Sequence, residues 1–380
     1  MQNFISCLVF LVCSCSYILG QNIPQSKLFT IHLAANISNQ EEIGLKEIAE
    51  NIEYVKLEYK PECAISRINW LVATEKYFFV SDNRGIFQFE RSGKFIREIG
   101  KLGRGPNEYP NLTDFAVDES SQRIYILPNT LRQIKVFDFN GTYINSIQLN
   151  SYRYNEAIDI IDKGVIALQS GMNVTSLVST EIINEQGKSI LQFKSRIYQK
   201  IDGSITGKNI NVTYRFNDNF FVKELKNDTV YKMTLQGLIP HYVFDLGKLK
   251  PPETYPYEER GKYVEIYRIF ETDDYIFAFL TYKNTIGVIR YNKSTKEVVT
   301  SLPPSKEKSG IKNDFDNGLN YYMTSVPRSL DTNQKEWLLP LSPNSLYEFK
   351  NDTKITGNFK ILINRYDLND NPAIMIIKLK

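Results

Sequence analysis

The segment Gly103–Tyr109 reads GRGPNEY and holds the residues best suited to bind a ligand. Arg104 offers a planar guanidinium that can pair with carboxylates or sugar hydroxyls. Glu108 offers a hydrogen-bond acceptor, and Tyr109 offers a ring for stacking together with a hydroxyl. The same letters also describe a tight turn, in which glycine and proline set the backbone and Arg104 pairs with Glu108. We hold both interpretations, a ligand site and a structural turn, because they are compatible.

Residues that could catalyse a reaction are sparse. The two histidines, His32 and His241, fall inside predicted strands, whereas a Ser-His-Asp site or a histidine metal centre needs at least one of them at a loop. Paired acids such as Asp273–Asp274 are neighbours in sequence and do not supply two carboxylates across a glycosidic bond. Glycine motifs for phosphates or dinucleotides and EF-hand loops are absent from the sequence. We predict no catalytic residue, no metal site and no cofactor.

A repeat organises the chain. An aromatic strand, a polar turn with glycine and a second strand recur at Phe87–Gly100, Val136–Leu149 and Glu181–Phe193. The turn glycines, spaced 48 and 46 residues apart, are Gly93, Gly141 and Gly187. A period in this range with a strand–turn–strand unit is typical of a propeller blade. We predict an all-β fold, a six-bladed β-propeller of four-stranded antiparallel blades.

The first five predicted blades begin near Ile65, Leu112, Glu156, Asn211 and Tyr263. The sixth uses the strands YYMTSV, EWLLPL, SLYEF and a run around Phe359–Ile363, followed by a last apolar strand, PAIMIIKLK. In this arrangement GRGPNEY links the outer strand of blade one to the inner strand of blade two. Such connections lie on one face, around the mouth of the central channel.

The N-terminal part precedes the first full repeat. Leu28–Ala34 and Ile52–Glu58 alternate apolar and polar residues and predict strands, and Glu41–Asn51 predicts a short helix. We expect residues 21–64 to act as a closing segment that completes the last blade. The mature chain is then one propeller domain over residues 21–380.

Charge and composition exclude one class of partner. The 380 residues include 46 Lys and Arg against 43 Asp and Glu, with no dense basic block. Nucleic-acid binding needs a concentrated positive surface and is not expected. Hydrophobic residues, at 42%, are ample for a packed core, and we expect a monomer.

Residues 1–20 read as an export signal. Phe4–Val12 is apolar and no charged residue precedes Lys27. Processing at Cys15, which a lipobox-like sequence precedes, and cleavage after Gly20 both fit, so a lipid anchor at Cys15 and a free periplasmic protein stay open. We expect the periplasm or the outer membrane, with membrane contact only through that anchor. Cys63 is the single cysteine after the leader, which rules out an internal disulfide.

Several phrases of the sequence match a known family. They are LKEIAENIEYVKLE, GKFIREIGKLGRGPNEY, TDFAVD, NDTVYKM and DNPAIMIIKLK. The chain resembles the exported six-bladed β-propeller family of Bacteroidetes, which is NHL-like in fold. GRGPNEY is the most specific piece, although Asn107 stands where the family has a second glycine. The resemblance implies the fold and export and adds little on chemistry, because most members lack an assigned activity.

The expected function is a binding or interaction module. The face around the channel would take a glycan, a peptide or a protein partner, with Arg104, Glu108 and Tyr109 as ligand-binding residues. Loop tyrosines could add sugar platforms or simply pack between blades, and they are Tyr152, Tyr154, Tyr255 and Tyr257. The alternatives are a hydrolase or lyase acting on a glycan or lactone at the channel mouth, and a scaffold in an outer-membrane assembly.

Overall fold

The structure is a computed structural model that describes residues 28–128, 130–150, 155–170, 178–194, 211–224, 227–252, 255, 257–303, 310–322, 328–331 and 334–380. The predicted export signal, Cys15 and the loop tyrosines Tyr152 and Tyr154 lie outside these residues. No helix within the described ranges is long and apolar enough to cross a membrane.

Strands dominate the chain. In order they are β1 (Phe29–Ile31), β2 (Ala49–Lys56), β3 (Trp70–Ala73), β4 (Tyr77–Ser81), β5 (Ile86–Glu90), β6 (Phe95–Glu98), β7 (Asp114–Asp118), β8 (Arg123–Leu127), β9 (Gln133–Asp138), β10 (Tyr143–Gln148), β11 (Asn155–Asp162), β12 (Val165–Ser170), β13 (Val178–Asn184), β14 (Ser189–Lys194), β15 (Val212–Phe216), β16 (Asn219–Lys223), β17 (Thr229–Thr234), β18 (Gly237–Phe244), β19 (Glu265–Glu271), β20 (Tyr275–Tyr282), β21 (Thr285–Asn292), β22 (Val298–Ser301), β23 (Arg328–Asp331), β24 (Glu336–Leu341) and β25 (Ala373–Leu379). The α-helices are α1 (Leu33–Asn36), α2 (Pro343–Tyr347) and α3 (Gly357–Asn364). Short 3-10 helices span Leu45–Glu47, Pro61–Cys63, Gly247–Leu249 and Tyr257–Lys262.

These strands form the six blades of a propeller. Blades one to five each hold four consecutive antiparallel strands, from β3–β6 to β19–β22. Blade six contains β24, β25 and β2, while β23 pairs in parallel with β3 of blade one. The first strands of neighbouring blades lie beside each other, as β7 and β11 do, and surround the central axis. The predicted six-bladed propeller is confirmed.

The N-terminal segment runs along the outer edges of three blades. β1 pairs in parallel with β18 of blade four, and Gln40 forms a bridge with Thr300 in the outer strand of blade five. β2 then pairs antiparallel with the C-terminal strand β25. The two ends of the described chain therefore meet in blade six, and β2 is its outer strand.

Helices in the sixth blade correct the sequence interpretation. SLYEF and Phe359–Ile363 were expected as strands, but SLYEF forms the end of α2 and the turn after it, and Phe359–Ile363 lies in α3. Ser342 caps α2 by accepting a hydrogen bond from the Ser345 amide at 3.2 Å, and Pro343 follows it at the first helical position. In α3 the buried residues Phe359, Leu362 and Ile363 have helical spacing.

The N-terminal expectations also need correction. The helix predicted for Glu41–Asn51 is only the 3-10 turn at Leu45–Glu47, because Ala49 already begins β2. The Leu45 amide donates a hydrogen bond to the Lys312 carbonyl at 2.9 Å. This bond holds the 3-10 turn beside Lys312. His32 lies between β1 and α1, outside the strand in which it was expected.

Turn glycines allow neighbouring blades to approach closely. Gly187 lies between β13 and β14 with φ +74°, and a Cβ there would overlap the Gln148 carbonyl oxygen of blade two. Gly141 has a similar φ of +76°, but its Cβ would be 3.3 Å from the nearest atom, the Glu98 carbonyl oxygen. The backbone strain of a substitution is thus similar at both positions, whereas the steric clash is severe only at Gly187.

Gly187→Ala is expected to lower the free energy of unfolding by about 2–4 kcal/mol, because left-handed strain and overpacking add. Gly141→Ala, the matched control, should lose only about 1–2 kcal/mol from the backbone strain. Urea unfolding of the two variants measures the difference. Equal losses would mean that the contact with blade two does not restrict Gly187.

Candidate functional site

The propeller has two ends that differ in the connections they carry. At the turn end, the inner strand of each blade turns into the second strand, as residues 119–122 do between β7 and β8. At the connection end, the outer strand of one blade leads to the next inner strand, as residues 99–113 do between β6 and β7. Because neighbouring strands within a blade are antiparallel, Gly103–Tyr109 lies at the connection end.

An open cavity of about 900 Å³ occupies the channel at the turn end. Its walls are the last residues of the inner strands of blades one to five, the turns that follow them, the end of β17 and the start of β24. Small-ligand sites commonly measure roughly 300–1,000 Å³. The cavity is therefore large enough for a small ligand, and it lies at the end opposite to GRGPNEY.

Arg215 is a half-buried cation in the wall of this cavity. The alternation of β15 turns Thr213 and Arg215 to the side of blade three, where Thr213 Oγ1 lies 3.4 Å from Asp159 Oδ2. The Arg215 guanidinium stands over the ring of Phe220, 5.8 Å from its centroid. Among the residues that the structure describes, Arg215 has no hydrogen bond and no ion pair. Its donors are therefore open to a ligand.

Four carboxylates act on the charge of Arg215 without forming an ion pair with it, and they are Asp159, Asp218, Asp118 and Asp162. Burial lowers the pKa of Arg215, and these carboxylates oppose that shift. They come from three different blades, which the ring of inner strands brings to one end of the channel.

The four carboxylates differ in the hydrogen bonds that they accept from other described residues. Asp118 accepts hydrogen bonds from the hydroxyls of Ser120 and Ser121, both at 2.7 Å. Asp159 accepts from Gln169 Nε2 at 2.9 Å. Asp218 is exposed, and within the described part of the chain its carboxylate has no partner. It lies at a left-handed backbone position with φ +58°.

Two lysines also line the cavity, as do Arg268 and several glutamates. Lys163 is exposed and Lys232 is half-buried, and neither side chain has a hydrogen bond or ion pair with another described residue. The cavity therefore combines unpaired cations with an exposed carboxylate. It is chemically suited to a ligand that carries both charges.

A buried cluster links blades four and five at the cavity wall. The Glu271 carboxylate, 1% exposed, lies 2.8 Å from Lys293 Nζ and 3.1 Å from His241 Nε2. It also accepts a hydrogen bond from the Tyr214 hydroxyl at 2.7 Å, and that hydroxyl lies 3.1 Å from the Tyr242 hydroxyl. Burial acts to raise the pKa of Glu271, but the hydrogen bonds from His241 and Lys293 hold it below its ordinary value. Every named member has a partner within the cluster, and these contacts join blade four to blade five.

The residues predicted from GRGPNEY form a structured turn. Glu108 accepts a hydrogen bond from the Gly105 amide at 2.8 Å, and no ion pair joins it to Arg104, which is exposed. Tyr109 is fully buried, and its hydroxyl donates to the Ile99 carbonyl at 3.2 Å. The turn interpretation therefore describes the geometry, although the expected Arg104–Glu108 pair is absent from the described residues. Ligand binding by these residues stays a prediction, and the buried Tyr109 ring has no exposed face for it.

Other predicted residues also have structural surroundings. Tyr255 packs against Tyr263, with ring centroids 4.9 Å apart. Cys63 is fully buried, and burial raises the pKa of its thiol. His241 lies in β18, as expected from the sequence, and belongs to the Glu271 cluster. Within the described ranges, no three His, Cys, Asp or Glu side chains are placed to hold a metal ion.

Sequence reasoning missed the charged residues of the cavity. Arg215 stands inside a strand, and of its four acidic neighbours only Asp218 is close to it along the chain. A signal was nevertheless present, because the ends of successive inner strands carry Asp118, Asp162, Arg215 and Glu271. Aligning the repeats at their first strands would have placed these side chains at one end of the channel.

Comparisons with known proteins agree with the fold. The chain is similar to a structure described as a candidate exported protein from Bacteroides fragilis, with 17% identity, a TM-score of 0.71, and coverage of 93% of this chain and 99% of that one. It is also similar to a DUF4221 member from Bacteroides vulgatus, with 13% identity, a TM-score of 0.52, and coverage of 90% and 98%. No curated protein matches the sequence. At these identities the two structures support the propeller fold alone.

A family model supplies the remaining comparison. It is described as a domain of unknown function, DUF4934, and it matches residues 28–378. This range runs from just before β1 to the last residue but one of β25, so it includes all six blades and the N-terminal segment that joins the last one. The chain belongs to the DUF4934 family of six-bladed β-propellers.

Proposed function

We propose that this protein is an exported binding module that takes a polar ligand into the channel at its turn end. The observation that carries the proposal is the guanidinium of Arg215 in the wall of the 900 Å³ cavity, which forms no hydrogen bond or ion pair with the described residues. Buried polar groups in proteins nearly always have partners, so a half-buried arginine with no partner in the described part of the chain favours a ligand that supplies one.

Export rests on the sequence and on one structural relative. The apolar stretch Phe4–Val12 has the character of an export signal. The similar Bacteroides fragilis protein is itself described as a candidate exported protein. The protein would then act in the periplasm or at the outer membrane, with Cys15 as the site of a lipid anchor if the leader is processed there.

The test is a thermal-shift screen of the mature protein against amino acids, short peptides, oligosaccharides and peptidoglycan fragments. A ligand at about 100 times its Kd stabilises the folded state by about 2.7 kcal/mol, because it binds only that state. Ser120→Trp introduces a large ring at an exposed turn position that borders the cavity. We expect at least one compound to raise the Tm of the wild type and to lose that effect in Ser120→Trp.

Arg104→Ala is the matched control, since Arg104 is exposed at the connection end. It should leave every shift unchanged. A shift that Arg104→Ala abolishes and Ser120→Trp preserves would place binding at GRGPNEY and contradict the proposal. A screening compound that is chemically altered during incubation would point to a hydrolase or lyase at the mouth.

A further inference from the structure

The charges of the cavity favour one class of ligand over others. A ligand with only negative charge would be attracted by Arg215 but repelled by the four carboxylates around it. A ligand with only positive charge would meet Arg215, Arg268 and the amines of Lys163 and Lys232, which have no ion pair with a described residue. A molecule that carries a negative and a positive group at separate positions can pair with the cations and with the carboxylates of the cavity.

Neutral sugars fit the lining less well. Saccharide sites commonly present an aromatic ring face to the pyranose, and the cavity does contain aromatic residues. Phe220 and Trp337, however, are only 4% and 5% exposed. Trp337 is further packed against Phe270, with ring centroids 4.7 Å apart. Phe270 also lines the cavity and is half-buried, but it packs against Trp337 and Tyr321. The rings therefore contact mainly one another, whereas Arg215 and Asp218 offer charges.

We propose that the ligand of this cavity is a short peptide with a free carboxylate and a free ammonium group. This inference rests on the proposed function. The planar fork of Arg215 matches a carboxylate through two parallel hydrogen bonds. The peptide ammonium would then face the exposed carboxylates of Asp218 and Asp162 at the mouth. An extended peptide spans roughly 3.3–3.6 Å per residue, so a tripeptide of about 10 Å fits a cavity of this size.

The experiment is isothermal titration of trialanine into the mature protein, with three modified peptides alongside. They are the C-terminal amide, the N-acetyl peptide and the peptide blocked at both ends. We expect trialanine to bind, and each single block to weaken binding about tenfold or more, because each removes one charge-assisted contact. Free alanine in parallel shows whether one residue is enough to span the two sites.

Two variants assign the contacts to residues. Arg215→Met removes the guanidinium, and Asp218→Asn removes the carboxylate at a left-handed position that asparagine tolerates. Arg215→Met should weaken trialanine about tenfold or more and should not weaken the C-terminal amide further, as expected for partners in a double-mutant cycle. Asp218→Asn should show the same relation with the N-acetyl peptide. Circular dichroism and the Tm of each variant check that it is folded.

The inference and the proposed function can fail separately. Equal affinities of trialanine and its amide, or no binding of any peptide, would overturn the inference. If a neutral oligosaccharide binds instead and Ser120→Trp abolishes that binding, the cavity is a ligand site but not a peptide site. If no compound of the whole screen depends on Ser120, the proposed function itself is wrong.

Discussion

Glu271→Ala is expected to lower the free energy of unfolding by about 3–5 kcal/mol, because it removes a buried carboxylate that a half-buried cation and two further donors share. Lys293 would lose its ion pair, and His241 and Tyr214 would lose their acceptor. These residues join the outer and inner strands of blade four to blade five. The loss should appear in urea unfolding as a lower midpoint with an unchanged slope.

Glu42→Ala is the matched control, since Glu42 pairs with Lys312 at 2.7 Å while both side chains are largely exposed. Exposed pairs contribute about 0–1 kcal/mol, so this variant should be nearly neutral. A double-mutant cycle of Glu271→Ala with Lys293→Met isolates the pair itself. If Glu271→Ala were as mild as Glu42→Ala, the cluster would not stabilise the contact between blades four and five.

The same carboxylate predicts a pH dependence. The pKa of Glu271 is held below its ordinary value of 4.5 in the folded protein. A carboxyl group with a lowered folded pKa stabilises the protein above its unfolded pKa, and that contribution is lost as the pH falls through the folded pKa. The stability difference between the wild type and Glu271→Ala should therefore be constant near neutral pH and shrink below about pH 4.5.

Tyr109→Ala is expected to cost about 3–5 kcal/mol, the usual loss when a large aromatic side chain is removed from a core. Tyr109 is fully buried with Phe115 and Phe137 between blades one and two, and its hydroxyl is hydrogen-bonded. Thermal unfolding should show a lower Tm. Tyr109→Phe separates the two contributions, because it keeps the ring and loses only the hydroxyl.

Arg104→Ala, in the same turn, is the control for Tyr109→Ala. Its exposed side chain has no partner among the described residues, so the change in stability should stay within about 0.5 kcal/mol. A large loss in Arg104→Ala would revive the idea that this arginine fastens the blades together. A neutral Tyr109→Ala would show that the turn does not depend on its buried ring.

The regular blades could be predicted from sequence because their signals are local. In blades one and two the alternation of apolar residues and the glycines Gly93 and Gly141, both at positive φ, determine the hairpins. Blade six has no such continuity, because it combines β2 from the N-terminal region with β24 and β25. The segment between β24 and β25 buries apolar residues in the helices α2 and α3. A prediction based on alternating apolar residues missed these helices.

The candidate site was harder to predict for a different reason. Arg215 lies in a short strand, VTYRF, whose sequence gives no sign that its guanidinium faces a cavity. Its environment depends on Asp118 and Asp159, which only the closed ring brings close to it. GRGPNEY, by contrast, is easily recognised as a motif in the sequence. In the structure its glycines and Glu108 form a single turn.

The most direct test of the account is hydrogen–deuterium exchange with and without the strongest binder from the screen. Binding at the turn end predicts slower exchange in residues 118–122, 159–164 and 215–219, which border the cavity. The connection between β6 and β7 should exchange at the same rate in both samples. Protection confined to residues 101–109, with the turn end unchanged, would contradict the assignment of the ligand site to the Arg215 cavity.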